Sequence, residues 1–298
     1  MGIYNTRRKI PKLLDFFAFL WAIAPPQFRK FYYRINCGIS IGSSVFPDCL
    51  VTVSIKRGII KGMKMRFNLN RERTYYFGTY EKEVQSVLSL VCRDGMNAFN
   101  IGANVGFYTL SLSKLVGPKG FVVAFEPNPN ARDILIKNID LNKLGDFIRV
   151  EESALSDFDG YAKFSLSLND ARCRFEDLPD VKPGFDIQVP CRRLDTYISE
   201  EQLHPDFIVM DVEYAEGRVL RGMDKILKKH KPIIIIEMHS SDSIEEAWIE
   251  LKKHDYFLAS IPTLKIISNL GDMNRGHYLS SHISRIKEIE GYCKGSIQ

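Results

Sequence analysis

Two glycines, Gly102 and Gly106, enclose Ala103, Asn104 and Val105 where a short apolar run ends. Without a Cβ, glycine lets the backbone turn sharply and approach a ligand closely. A nicotinamide dinucleotide site needs the pattern G-x-G-x-x-G, whose three glycines serve the turn, the pyrophosphate and the helix-strand contact. The loop here reads Gly-Ala-Asn-Val-Gly and lacks the middle glycine. That disfavours a dinucleotide and fits a nucleoside cofactor without pyrophosphate. Glu126 then closes the next apolar run, where a carboxylate can take both ribose hydroxyls. The plainer reading is a glycine turn and a surface glutamate in an unrelated α/β protein.

A second set of chemical groups follows two later apolar runs. Asp211 ends one of them, and Glu237 and His239 end the other. Strand ends are where an α/β protein builds its site, so these three are the candidate catalytic residues. His239 or Asp211 could act as a general base. The alternative for His239 is a histidine satisfied by core hydrogen bonds. Asp211, Glu213, Glu237 and His239 also carry the donor types for a divalent cation, but no resident metal is expected. Glu216 suits the start of a helix, where an acid complements the dipole.

The elements that must position these groups alternate from Met96 onward. Strands are expected at Ala98 to Ile101, Phe121 to Phe125 and Phe147 to Val150. Phe207 to Met210 and Ile233 to Ile236 are continuous apolar runs, as in central parallel strands covered on both faces. Helices are expected over Tyr108 to Val116, Ala131 to Leu141 and Ala215 to Lys229. Between Asp157 and Pro190 the chain is more polar, with two short strands at Ala162 to Leu166 and Asp186 to Val189. Alternation of this kind gives a doubly wound α/β sheet. Residues 1–80 form an extension, with short antiparallel strands at Leu50 to Ile55 and Met63 to Leu69, and residues 81–298 form the main domain. Glu81 to Cys92 has helical spacing.

The composition of the 298 residues is that of a globular chain, 45% apolar and 26% charged. A net charge of +5 does not call for a nucleic-acid partner, and none is expected. Lys228, Lys229, His230 and Lys231 sit where a helix should end and read as a solvated helix terminus. Six cysteines show no paired Cys-x-x-Cys spacing, which fits a reducing, cytoplasmic compartment. Cys92 and Cys191 lie in apolar runs and read as small core residues. Leu13 to Ala24 is apolar but far shorter than the ~20 residues that span a bilayer. It reads as a helix packed on the domain or, second, as a peripheral contact with a membrane surface.

The segments NIGANVGFYTLSLSK, VVAFEPNPNARDILIKNIDLN, ESALSD, PDFIVMDVEYAEGRVLRG and IIIIEMH, in this order and spacing, resemble the FkbM family of methyltransferases. The resemblance runs over about residues 75 to 240. It implies a class I, Rossmann-like methyltransferase fold of about seven strands, with S-adenosylmethionine as cofactor. It also implies that Gly102, Asn104, Gly106 and Glu126 line the cofactor site, with Ala103 in the loop and Ser153 and Ala154 near the adenine. The family usually has an acid where this chain has Asn100, and an acid would add charge to a bond with the cofactor's ammonium group. It usually has a glycine where this chain has Tyr214. The activity implied is O-methylation of a sugar, glycan or glycolipid hydroxyl. The alternatives are N-methylation of a protein or nucleic acid, or a cofactor-binding module that has lost activity.

Overall fold

The computed structural model describes residues 50–69, 71–167, 173–175, 184–289 and 291–292. Leu13 to Ala24, Cys37, Cys49 and Cys293 lie outside them. The chain enters through a hairpin of β1 (Leu50–Ser54) and β2 (Lys64–Asn68), in which Val51 faces Phe67 and Val53 faces Met65. Alternation turns these four side chains inward, as the sequence predicts. A short helix α1 (Arg73–Phe77) and the amphipathic α2 (Lys82–Val91) follow. Val84, Val87, Leu88 and Val91 of α2 are buried in the same core as the hairpin.

Next come β3 (Asn97–Ile101), α3 (Phe107–Val116), β4 (Phe121–Phe125), α4 (Pro129–Leu141) and β5 (Ile148–Glu151). The chain then leaves the main sheet. The short β6 (Ala154–Leu155), β7 (Gly160–Ser167), β8 (Cys173–Phe175) and β9 (Gly184–Arg192) form a separate small sheet in the order β6-β9-β7-β8. It returns through α5 (Leu194–Glu201) to β10 (Phe207–Met210), α6 (Glu216–Arg221), α7 (Asp224–Lys229) and β11 (Ile233–Met238). Then follow α8 (Ser241–Lys253), β12 (Tyr256–Ser260), β13 (Lys265–Ile267) and β14 (Gly276–His282).

The main sheet has eight strands in the order β13-β12-β14-β11-β10-β3-β4-β5. The five from β11 to β5 are parallel, and β14 runs against β11. Strand side chains alternate between two cores, as a sheet covered on both faces requires. Ala98, Val122, Val209 and Ile235 face the hairpin, α2, α3 and α4. Phe99, Val123, Ile208 and Ile234 face α5 to α8. The strand order reverses between β3 and β10, so the carboxyl ends of β3, β4, β10 and β11 open onto one switch point.

The helix expected from Ala215 to Lys229 is two helices, broken at Gly222 and Met223. Any Cβ at Gly222 would stand 1.9 Å from the Ser156 carbonyl oxygen. Asp195 caps the second helix, accepting from the backbone of Lys225 and Ile226 at 3.0 Å each. The edge of β2 is held by side chains in place of a strand. Asn138, fully buried, accepts from the Arg66 amide at 2.5 Å and donates to the Arg66 and Val105 carbonyls at 2.9 and 2.8 Å. Asn142, one turn on, pairs with both backbone groups of Lys64 at 2.9 and 2.7 Å. Cys92 and Cys191 are buried free thiols.

Candidate active site

The loop after β3 packs against the end of β4. Backbone amides of Gly102 and Ala103 donate to the Phe125 carbonyl at 3.1 and 2.9 Å. Gly102 has φ +83°, and a Cβ there would stand 1.8 Å from the Asp211 carbonyl oxygen. Only glycine fits where this loop crosses the end of β10. Asn104 takes φ 48°, a left-handed conformation that asparagine tolerates better than most residues. Its amide donates to Glu126 Oε2 at 2.5 Å, and the Asn128 amide donates to Oε1 at 2.8 Å. Burial pushes the Glu126 carboxyl up to about 7, against the opposing pull of those two amides and of Arg132.

These residues border a half-open cleft at the carboxyl ends of β3, β4 and β10. Gly102, Asn104, Glu126, Ser153 and Ala154 line it, with Phe125, Leu155, Phe164 and Phe175 as apolar walls. Phe164 and Phe175 come from the small sheet, their ring centroids 4.3 Å apart. Asn104 Oδ1 and Ser153 Oγ are buried without a hydrogen-bond partner. Buried polar atoms are normally paired, so two orphans on one cleft wall mark where a ligand's polar groups belong. The acid for the ribose, the apolar walls for the base and the orphaned oxygens all fit S-adenosylmethionine.

Asn100, Ala103 and Gly106 stand behind this wall. The Asn100 amide donates to Thr109 Oγ1 at 2.9 Å and is turned toward α3. Gly106 starts α3 against Leu135, whose Cδ1 would lie 2.5 Å from a Cβ there. Their contribution is the shape of the loop.

At the neighbouring ends of β10 and β11 the structure brings Asp211, Glu237 and His239 together. His239 Nε2 lies 3.4 Å from Asp211 Oδ1, 3.7 Å from Glu237 Oε2 and 3.8 Å from Glu213 Oε2. Its Nδ1 donates to Glu216 Oε1 at 2.5 Å. Glu216 does open α6, as its sequence position suggests, but its fully buried carboxylate also orients His239. Burial alone would lower the His239 pKa, and the Glu216 bond with the Asp211 and Glu237 charges raises it to about 9. Burial and the charge of Glu237 push Asp211 well above the usual carboxylate range. Glu237 moves the other way, because the bond and charge of His277 more than offset its own burial. The two carboxyls titrate as a pair.

Sequence reasoning missed Glu81 and His277. His277, on β14, reaches Glu81 Oε2 at 3.1 Å and Glu237 Oε2 at 3.5 Å. The Tyr108 hydroxyl donates to Glu81. Glu81 precedes α2 at φ 39° and carries no motif, and His277 lies in a stretch without apolar alternation, so no local signal marks either. Tyr214 holds the glycine position at φ +79°, with its ring 5.6 Å from that of His239. Its backbone adopts the conformation that favours glycine, and the side chain becomes a wall of the histidine's surroundings.

A model of the Methyltransferase FkbM domain matches residues 100–258, more than half of the chain. No curated protein matches in sequence. Among solved structures, the chain is similar to methyltransferase FkbM from Methylobacillus flagellatus KT, at 17% identity and TM-score 0.43. That match covers 70% of this chain and 47% of the other, so the chain spans about half the length of this relative. A SAM-dependent O-methyltransferase from Thermotoga maritima matches at 12% identity and TM-score 0.40, over 73% of this chain and 67% of that one. Aeropyrum pernix fibrillarin with bound S-adenosyl-L-methionine matches at 13% identity and TM-score 0.42, over 81% and 85%. With the matched domain spanning more than half of it, the chain belongs to the FkbM family of S-adenosylmethionine-dependent methyltransferases.

Proposed function

We propose that the protein O-methylates a hydroxyl of a sugar, glycan or glycolipid. One observation carries this reading: the carboxylates at the ends of β10 and β11 adjoin the cofactor cleft, whose wall already includes Asp211 and Glu213. Carboxylate oxygens accept hydrogen bonds, and a polyol offers them donors. The Tyr214 ring, 5.6 Å from that of His239, stands beside them and suits the apolar face of a sugar. Burial together with the charges of Glu81 and Asp211 holds the Tyr80 and Tyr108 hydroxyls well above their ordinary range.

When bound, S-adenosylmethionine supplies an electrophilic methyl group on a sulfonium. The chain must hold the acceptor oxygen in line with that methyl and keep water out, and such positioning contributes ~7–11 kcal/mol. An alkyl hydroxyl is a poor nucleophile, so its proton must leave as the new bond forms. The Asp211–Glu237 pair takes that proton. His239, protonated on both nitrogens at neutral pH, orients the carboxylates and does not act as the base.

Asp211→Asn keeps the shape and removes one member of the proton-accepting pair. Turnover should fall by ~10²–10⁴-fold while cofactor affinity, measured by calorimetric titration, stays unchanged. Wild-type turnover in this variant would place the acceptor elsewhere.

A further inference from the structure

We propose that His277 is a positioning residue for methyl transfer: it holds the negative charge of the Asp211–Glu237 pair on Glu237, and Glu81 and Tyr108 hold His277 in place. This role rests on the O-methylation reading above. The acceptor oxygen bonds to the methyl carbon as the methyl–sulfur bond breaks, its proton passes to the pair, and a neutral thioether leaves.

Strand alternation sets the placement. Ile234, Ile236 and Met238 of β11 point into the core against α5 to α8, so Glu237 points to the opposite face, toward α2 and α3. Strand β14 runs antiparallel to β11, and in that register His277 stands directly across from Glu237. Opposite residues of such a pair share a face, with Cβ atoms about 4.5–5.5 Å apart. Leu279, two residues on, is buried on that same face. The imidazole therefore meets Glu237, and its Nε2 stands 3.5 Å from Glu237 Oε2.

Glu81 closes the other side of the imidazole. It sits at the N-cap of α2, where an acid ordinarily accepts from the helix amides. Its side chain makes no such bond, and its backbone takes φ 39°, a conformation uncommon for any residue but glycine. The carboxylate turns instead to Tyr108 in the first turn of α3, whose hydroxyl donates to it, and to His277 Nε2 at 3.1 Å. One ring nitrogen thus lies between two carboxylate oxygens. Glu81 and His277 both fall outside residues 100–258, the span matched by the family domain, while Glu237 falls within it. The flanks of this chain supply the partner of a residue that the domain itself carries.

A cation this close favours the ionised form of a carboxylate. The charged groups facing Glu237 are His277, His239 and Asp211, and those facing His277 are Glu237 and Glu81. Tyr80 and Tyr108, beside Glu81, keep their protons. Burial alone would lower the His277 pKa, and the bonds and charges of Glu237 and Glu81 raise it to about 10, so the ring is a cation at neutral pH. Burial would raise Glu237, but the bond and charge of His277 hold it below the usual carboxylate range, while Asp211 stands well above it. The charge of the pair rests on Glu237. Without the His277 cation, Glu237 takes up its proton at higher pH.

Carbon NMR of the full chain, labelled at histidine rings and glutamate carboxyls, reads both groups without any methyl transfer. The signals missing in His277→Gln, His277→Lys and Glu237→Gln assign them, and circular dichroism melts check that the variants fold. In the wild type the His277 ring should stay protonated through about pH 8. In His277→Gln, Glu237 should titrate higher by about one pH unit or more, and His277→Lys, which restores a cation, should bring it back. With methyl-labelled S-adenosylmethionine and the glycan fraction of cells lacking the gene, the acid limb of turnover should move up by the same interval. Cofactor affinity should not change. Each of three results would overturn this role: a wild-type ring that titrates near the ordinary 6.5, a Glu237 titration unmoved in folded His277→Gln, or a turnover loss equal at every pH. Should no fraction accept label, the O-methylation reading fails, and the NMR titrations still decide whether His277 sets the charge on Glu237.

Discussion

Glu126 ties two roles to one carboxylate. It braces the backbone of Asn104 and Asn128, and it faces the cleft where ribose hydroxyls would donate to it. Glu126→Ala should weaken S-adenosylmethionine binding by about tenfold to a hundredfold, since a hydrogen bond to a charged group contributes roughly 1.5–3 kcal/mol. Its carboxyl is pushed up to about 7, so a proton sits on it in the acidic half of the neutral range. Protonation turns an acceptor into a donor at one oxygen, and the ribose loses a partner. Cofactor affinity should therefore fall as pH drops from about 8 to 6, and that slope should vanish in Glu126→Ala. Calorimetric titration across this range reads both effects. At the residue scale the sequence exposed this acid well, because a strand end and a glycine loop are local patterns. Asn100 was less legible, because only the fold reveals that its amide turns to Thr109 and away from the cleft.

Elements show the same division between local and distant causes. The apolar runs of β3, β4, β10 and β11 and the spacing of α2 announce themselves, because each buries its own periodic face. The break at Gly222 does not, because its cause is the Ser156 carbonyl, which the small sheet brings in from far along the chain. After Met238 the periodic signal weakens. Strand β14 reads GHYLSSH, yet Ser280 and Ser281 are fully buried, and the Ser280 hydroxyl donates to the Phe257 carbonyl at 3.0 Å. Polar residues satisfied in this way hide a strand from any hydrophobic pattern. Asn138 is a case where one side chain stands in for a strand. Asn138→Ala removes three hydrogen bonds, two part-buried ones to Arg66 and a buried one to Val105, and at about 1 kcal/mol each the loss should be about 3 kcal/mol. Denaturant unfolding should report that drop, with a smaller one for the more exposed pairs of Asn142.

For the whole molecule, the described part of the N-terminal extension shares one core with the parallel sheet, and Glu81, the first residue after it, stands beside His277. Among the described residues no helix is long and apolar enough to cross a membrane. Leu13 to Ala24, outside the described residues, is also shorter than a bilayer needs, so alkaline carbonate should release the protein from a membrane pellet. The order of apolar runs made the doubly wound sheet legible, and the glycine loop and Glu126 located the cleft. The acceptor side was only half legible, because Glu81, Glu216, Glu237, His239 and His277 converge from segments that are far apart in sequence. The central claim is methyl transfer to a hydroxyl of a saccharide. Its most direct test incubates the purified protein with methyl-labelled S-adenosylmethionine and the glycan, lipid, protein and nucleic-acid fractions of cells lacking the gene. The account predicts label in the glycan or glycolipid fraction, as a methyl ether that survives mild alkali. Label confined to protein or nucleic acid, or no transfer by a chain that binds the cofactor, would contradict it.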